Sequence, residues 1–295
     1  MSPKKTTLPE PAAVQPLAVN TRKLSRVGAR PGFLDYLVQL WDYRHFVFYD
    51  ARARVLNGTR RDRLGSAWLI LNPILNGLTY YVIFGLLLHT NRGIENFLGY
   101  LVVGIFMFQL SAGAITSGAR SVHNSKSVVQ AFNFPRATLV IGANLRELLM
   151  GVPMILAMLL IIIVLPPAES ITWRWILILP AITLQFVFNL GVGLILARIV
   201  SRVHDVTHLI PFGMRAWMYG SAIFYSYDRF ITHPQILALV KINPLFNVID
   251  IVRNCLLYDT LPAWRSWGIL SAWAFGALAI GIVFFWRGEE TYGRS

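Results

Sequence analysis

Five arginines, Arg52, Arg54, Arg60, Arg61 and Arg63, crowd the stretch before the first long apolar run. A guanidinium is always charged and presents its donors in a planar fork, so such a group at a membrane surface suits a phosphate or diphosphate. The same residues also serve as topology determinants, and for each arginine both readings stand. Arg215 lies inside an apolar segment, where a charge is costly and usually faces a cavity or a partner. It reads as a contact for a passing anionic group or as an ion pair with Glu147. Aromatic residues recur in two apolar runs: Trp68, Tyr80, Tyr81 and Phe84, then Phe212, Trp217, Tyr219, Phe224 and Tyr225. Aromatic rings stack on sugar faces while hydroxyl and indole groups make hydrogen bonds, so these residues suit the lining of a glycan path. The alternative for Trp68, Tyr80, Tyr81, Phe224 and Tyr225 is anchorage at the membrane interface.

Other chemistry is poorly supplied. His204 and His208 have the i,i+4 spacing of metal ligands on a helix, but only Asp205 is near as a third donor, so they read as interfacial polar residues and no metal is expected. No G-x-x-x-x-G-K-[ST] loop occurs, so any ATP coupling must come from another chain. The acidic residues of the outer loops (Glu95, Glu169, Asp228, Asp250 and Asp259) are widely spaced, a weak endowment for a membrane-embedded sugar-transfer enzyme, and no catalytic residue is expected. Cys255 is the only cysteine, which excludes an intrachain disulfide.

The elements that must position these residues are membrane helices. The chain of 295 residues is 55% apolar and only 14% charged, against about 25% charged in soluble domains, and its mean hydropathy is +0.54. A net charge of +13 then suits an anionic membrane leaflet rather than nucleic acid. A helix crossing the hydrocarbon needs about 20 apolar residues, and six stretches qualify: 65–88, 97–119, 148–165, 175–197, 208–225 and 267–286. The fifth is interrupted by Pro211 and Arg215. With both termini inside, and leaving aside Arg146 and Arg215 at or within spans, the inner segments carry nineteen Lys/Arg and the outer loops six, which places both termini in the cytoplasm. Residues 1–32 read as a flexible basic tail without the apolar core of a signal peptide, 33–290 as the transmembrane domain, and 291–295 as a cytoplasmic end. Asp35, Gln39 and Asp42 share one face of a helix over 33–48, with Phe33, Leu37, Leu40, Trp41 and Phe48 mostly on the others, as in a helix lying in the membrane interface or packed on the spans. The long segment 228–266, broken at His233-Pro234 and Asn243-Pro244, suits a pair of re-entrant helices. The fold class is therefore all-α, a polytopic membrane protein with six spans.

Four segments carry a resemblance to a known family. They are RDRLGSAWLILNPILNGLTYYVIFG (61–85), NSKSVVQAFNFPRATL (124–139), HDVTHLIPFGMRAWMYGSAIFYS (204–226) and NPLFNVIDIVRNCLL (243–257). Together and in order they resemble the permease subunits of type-2 ABC exporters, in the branch that exports lipid-linked polysaccharides; His204 stands where that family commonly has Arg. The resemblance implies a homodimer of permeases with two ATPase subunits, and a channel for a glycan of O-antigen, teichoic acid or cell-wall galactan type on a polyprenyl diphosphate. It implies no cofactor in this chain, ATP and Mg belonging to the partner. It assigns ATPase coupling to the stretch with Asn124, Lys126, Phe134, Pro135 and Arg136, and an external gate to the segment with Asn243, Pro244 and Arg253. A drug or lipid efflux permease and a membrane glycosyltransferase are the alternatives.

Overall fold

The computed structural model describes residues 31–58, 67–80, 82–83, 94, 96–131, 134–165, 168–225 and 234–292, which are predominantly helical with no strand among them. Four helices are long and apolar enough to cross a membrane: α4 (Phe97–Asn124), α6 (Ala137–Val164), α7 (Ile178–Arg202, entered through a 3-10 turn, Trp173–Leu177) and α11 (Trp264–Trp286). Shorter helices complete the chain. They are α1 (Phe33–Asp42), α2 (Arg44–Gly58), α3 (Trp68–Tyr80), α5 (Lys126–Ala131), α8 (Val206–Tyr219), α9 (Pro234–Ile242) and α10 (Pro244–Leu256).

Local chemistry explains where these helices start and stop. The Asn96 side chain accepts the Gly99 N–H at 2.8 Å and caps α4. Pro135 forces a turn before α6, and its carbonyl accepts the Thr138 hydroxyl at 2.7 Å. Pro166 and Pro167 follow α6 in the sequence and cannot extend it. Asn243 caps α10 through the Leu245 N–H at 3.0 Å, with Pro244 at the first helical position, where its missing N–H costs nothing.

Packing is centred on α4, the most enclosed of the long helices, against α6 and α7. The closest approach joins α7 to α11. A Cβ on Gly191 would collide with the backbone of Ala277 and Leu278, and Gly281 meets the Gly191 carbonyl in the same way. Gly118 and Gly193 play the corresponding part between α4 and α7. Small residues in membrane helices allow backbones to touch where no hydrophobic drive between helices exists. Conversely, Leu156, Leu160 and Val164 of α6 and Phe275 and Ile280 of α11 remain exposed, the outward apolar surface expected of helices solvated by lipid.

The described ends of the chain meet. Phe33 packs edge-on against Trp286 at 5.3 Å, the Trp286 indole donates to the Pro31 carbonyl at 3.1 Å, and the Tyr36 hydroxyl donates to Glu289 at 2.9 Å. The helix expected over 33–48 is in fact two, broken at Tyr43. On α1, Tyr36 is turned inward, while Leu34, Val38 and Trp41 form an exposed apolar face. The segment expected to span at 208–225 is helical only to Tyr219, after which residues 220–225 form turns. Of the segment expected at 65–88, the structure describes α3 and residues 67, 82 and 83.

Candidate functional site

At the end of the bundle where α4 stops and α6 starts, a cavity of about 480 Å³ opens between α2, α4 and α6. Each helix contributes a stripe at helical spacing: Gly113, Ser117, Arg120 and Asn124 from α4; Thr138, Gly142, Arg146 and Glu147 from α6; Asp50 and Arg54 from α2. Gly113 makes room for the Glu147 carboxylate, since a Cβ there would lie 3.0 Å from it. Three guanidiniums from three elements thus line one polar hollow. Arg54 is held by Asp50 at 2.8 Å, Arg146 donates to the Ser117 hydroxyl at 2.9 Å, and Arg120 donates to the Thr207 carbonyl of α8 at 3.2 Å. Two carboxylates against three cations, with hydroxyls and an amide between them, make a seat for an anion with several oxygen acceptors.

Of the arginines singled out from the sequence, Arg54 lines this cavity, Arg52 is exposed on α2, and Arg60, Arg61 and Arg63 lie outside the described residues. Arg215 is exposed on α8 and forms no ion pair with Glu147, which lines the cavity on another helix. Arg120 and Arg146 do not stand out in the sequence because each borders a long apolar run, where a positive charge also sets topology. Ser117 and Asn124, at i−3 and i+4 from Arg120 on an otherwise apolar helix, and Glu147 beside Arg146 were the available signal.

The aromatic candidates separate into two groups. Phe212 and Tyr219 share an exposed face of α8 with Arg215, and Trp68 is partly exposed on α3. Trp217 is turned inward, its indole donating to Asn243 at 2.8 Å and its ring edge-on to Phe188 at 6.0 Å. Phe224 packs on Tyr219 at 5.8 Å, and the Tyr225 hydroxyl donates to the Tyr219 carbonyl at 2.9 Å. The Tyr80 side chain, Tyr81 and Phe84 lie outside the described residues.

Asn243 and Arg253 together hold the end of α8. The Asn243 amide donates to the Gly220 carbonyl at 3.1 Å and the Ser221 hydroxyl at 3.0 Å. The guanidinium of Arg253, a residue only 3% exposed, donates to the carbonyls of Ala222 at 3.1 Å, Tyr100 at 3.0 Å and Ile223 at 3.2 Å, over the Tyr100 ring. Pro244 is buried at the start of α10.

In the 124–136 segment, Asn124 and Lys126 are exposed, Phe134 is half-buried and Pro135 is buried. Arg136 turns inward to a node with the chain ends. Its N–H donates to the Glu289 carboxylate at 2.8 Å, its guanidinium lies 3.6 Å from that carboxylate and bonds the Glu289 carbonyl, and Tyr36 donates from the other side. Burial pushes the Glu289 carboxyl above the usual range, against the pull of these donors, and drives the Tyr36 hydroxyl upward too. His204 and His208 do not share a helix face, because α8 begins after His204; instead His204 stacks on His123 at 4.0 Å. Among the described residues no cluster of three or more metal-ligating side chains occurs.

A family model described as ABC-2 type transporter matches residues 51–257, well over half of the chain. The chain belongs to the ABC-2 type transporter family. Membership and its apolar helices make it a multi-pass membrane protein of a transport family. Three relatives of this family member are named for export or transport. It is 27% identical to an O-antigen export system permease protein RfbA of Klebsiella pneumoniae, over 67% of this chain and 74% of the relative. It is 21% identical to an O-antigen export system permease protein RfbA of Myxococcus xanthus, over 86% of this chain and 94% of the relative. Against the polysialic acid transport protein KpsM of Escherichia coli the identity is 20%, over 77% and 87%.

Proposed function

We propose that this chain is the membrane-spanning permease of an ATP-driven exporter of lipid-linked polysaccharide in a bacterial inner membrane. The observation that carries the proposal is the similarity, over most of the chain, to permeases named for O-antigen export. The relative named for polysialic acid transport agrees with a glycan cargo. ATP hydrolysis belongs to two copies of a separate subunit that engages the 124–136 segment, with the half-buried Phe134 as its handle and Arg136 its inward anchor. Two copies of the permease pair, so that the exposed faces of α3 and α8, with Trp68, Phe212, Arg215 and Tyr219, line the glycan path between them. The packing of the described ends on each other supports an even number of crossings between them, and the Lys/Arg bias supports the cytoplasm as their side; six crossings follow if the α3 and α8 regions count as the first and fifth spans. The exposed apolar face of α1 lies in the membrane interface, and α9 and α10 form the re-entrant external segment.

Within this frame the cavity holds the diphosphate that joins glycan to lipid, with Arg54, Arg120 and Arg146 as its ligands. Charge-assisted bonds from three elements suit a multiply charged anion, and a partly enclosed site strengthens them relative to bulk water.

The test is affinity purification of the tagged permease from its native membrane, with mass analysis of what remains bound, beside a deletion strain. A stoichiometric ATPase together with lipid-linked polymer accumulating inside the deletion strain is the expected result. A purified chain that makes polymer with no ATPase bound would overturn it in favour of an enzyme. A deletion strain with normal surface polymer and new drug sensitivity would overturn it in favour of drug efflux.

A further inference from the structure

We propose that Arg120 is a positioning residue that ties occupancy of the α2–α4–α6 cavity to the stability of the first turn of α8, before Pro211. In an α-helix the carbonyl of residue 207 accepts the N–H of residue 211, and Pro211, which lies inside α8, has none to give. The carbonyl of Thr207, on a residue only 5% exposed, therefore lacks its helical donor. Arg120 supplies a replacement from α4, through Nη2 at 3.2 Å. The same guanidinium lines the cavity beside Arg54 and Arg146, and its buried Nε has no hydrogen-bond partner among the described residues. One side chain thus repairs the helix while its own buried Nε stays unpaired.

These two duties compete. A phosphate oxygen is a far stronger acceptor than a neutral carbonyl, and it engages guanidinium edges two donors at a time. An anion that takes Nε and its neighbouring Nη2 draws Arg120 off Thr207, and the first turn of α8 is then left with a carbonyl short of a donor. That turn connects in two directions. Through the Thr207 hydroxyl, 2.7 Å from the His204 carbonyl, and the stack of His204 on His123, it reaches the start of the 124–136 segment. Beyond Pro211 it carries the exposed face of Phe212, Arg215 and Tyr219. Arrival of a diphosphate at one end of the bundle therefore loosens the helix whose far face is the candidate glycan lining. This role rests on the diphosphate reading of the cavity given above and adds to it a route by which occupancy is reported.

The experiment uses the full-length permease in nanodiscs, with inorganic pyrophosphate and farnesyl diphosphate as probes. Calorimetry reads binding, and amide hydrogen exchange over residues 206–216 reads α8. In the wild type the bound probe accelerates exchange in α8 by about tenfold, the effect of losing one bond of modest net strength. Pro211→Ala restores the helical donor, so this variant binds the probe as well as the wild type or up to about tenfold more tightly, with no acceleration. Because alanine favours the helix, the variant folds. Arg120→Gln shows the fast exchange without any probe. A response to farnesyl diphosphate alone supports the role and assigns the site to a lipid-borne headgroup, and a response to both probes supports it for the diphosphate group itself. Binding to the wild type without a change in α8, or a Pro211→Ala variant that responds as the wild type does, overturns the role while leaving the cavity reading intact. Failure of both probes to bind the wild type overturns the two together.

Discussion

Replacing Arg253 with methionine separates its bonding from its bulk. The guanidinium holds three carbonyls, but they do not suffer equally when it goes. Ala222 keeps the Tyr100 hydroxyl at 3.0 Å, and Tyr100 lies within α4, where its carbonyl has a helical donor. Only the Ile223 carbonyl loses a donor without an evident substitute, a cost of about 1–3 kcal/mol. Loss of the other two charge-assisted bonds adds to this, and release of a buried guanidinium from its desolvation offsets part of it. The expected net loss for Arg253→Met is about 2–3 kcal/mol. Arg253→Ala leaves a void next to Gly104, where a Cβ would lie 2.7 Å from Nη2, and the loss rises to about 4–5 kcal/mol. The assay is thermal unfolding of the purified permease in one detergent, followed by tryptophan fluorescence, with Trp217 reporting on the end of α8 that Arg253 and Asn243 hold. A methionine variant as stable as the wild type would refute the reasoning, for the carbonyls would then be satisfied without the guanidinium.

Further outcomes follow from the same geometry. Because burial raises the Glu289 carboxyl, the folded chain holds that proton to higher pH than the unfolded one; its stability contribution is complete below the usual carboxylate range and is lost as pH rises through the raised value. Melting temperatures measured across that window should fall less steeply with pH in Glu289→Gln than in the wild type. Gly191→Ala forces a methyl into the Ala277–Leu278 backbone and should destabilise by about 1–3 kcal/mol or more in the same unfolding assay, whereas Gly276→Ala, with nothing within 4 Å, should change it little. Phe134→Ala should leave the melting temperature near that of the wild type and abolish stimulation of ATP hydrolysis by substrate in the assembled transporter; unchanged stimulation would remove Phe134 from the coupling role.

The long helices were legible because lipid imposes a single rule, an apolar run of sufficient length, and α4, α6, α7 and α11 obey it. Asn243-Pro244 was legible as a helix start because cap and proline act within three residues of one another. Arg253 stood out in its segment, but nothing nearby reveals that its partners are carbonyls as distant as Tyr100. The break at Tyr43 was likewise invisible, since the apolar pattern continues across it and the inward turn of Tyr36 depends on Glu289 at the other end of the chain. Arg120 and Arg146 were hidden by ambiguity of another kind: a lone positive charge at the edge of an apolar run carries the same signal whether it sets topology or binds an anion. Only the assembly of α2, α4 and α6 brings them together around one cavity.

The contact of Gly191 with Gly281 bears on how such a machine moves. Where two backbones touch with no side-chain layer between them, there is nothing to shear, and sliding by one residue would drive a larger side chain into a main chain. Helices α7 and α11 therefore travel as one body and act as the stator of any stroke. The play in the mechanism is left to α8, which is held by polar latches from Arg120 and Asn243 that can be remade at each turn of a cycle.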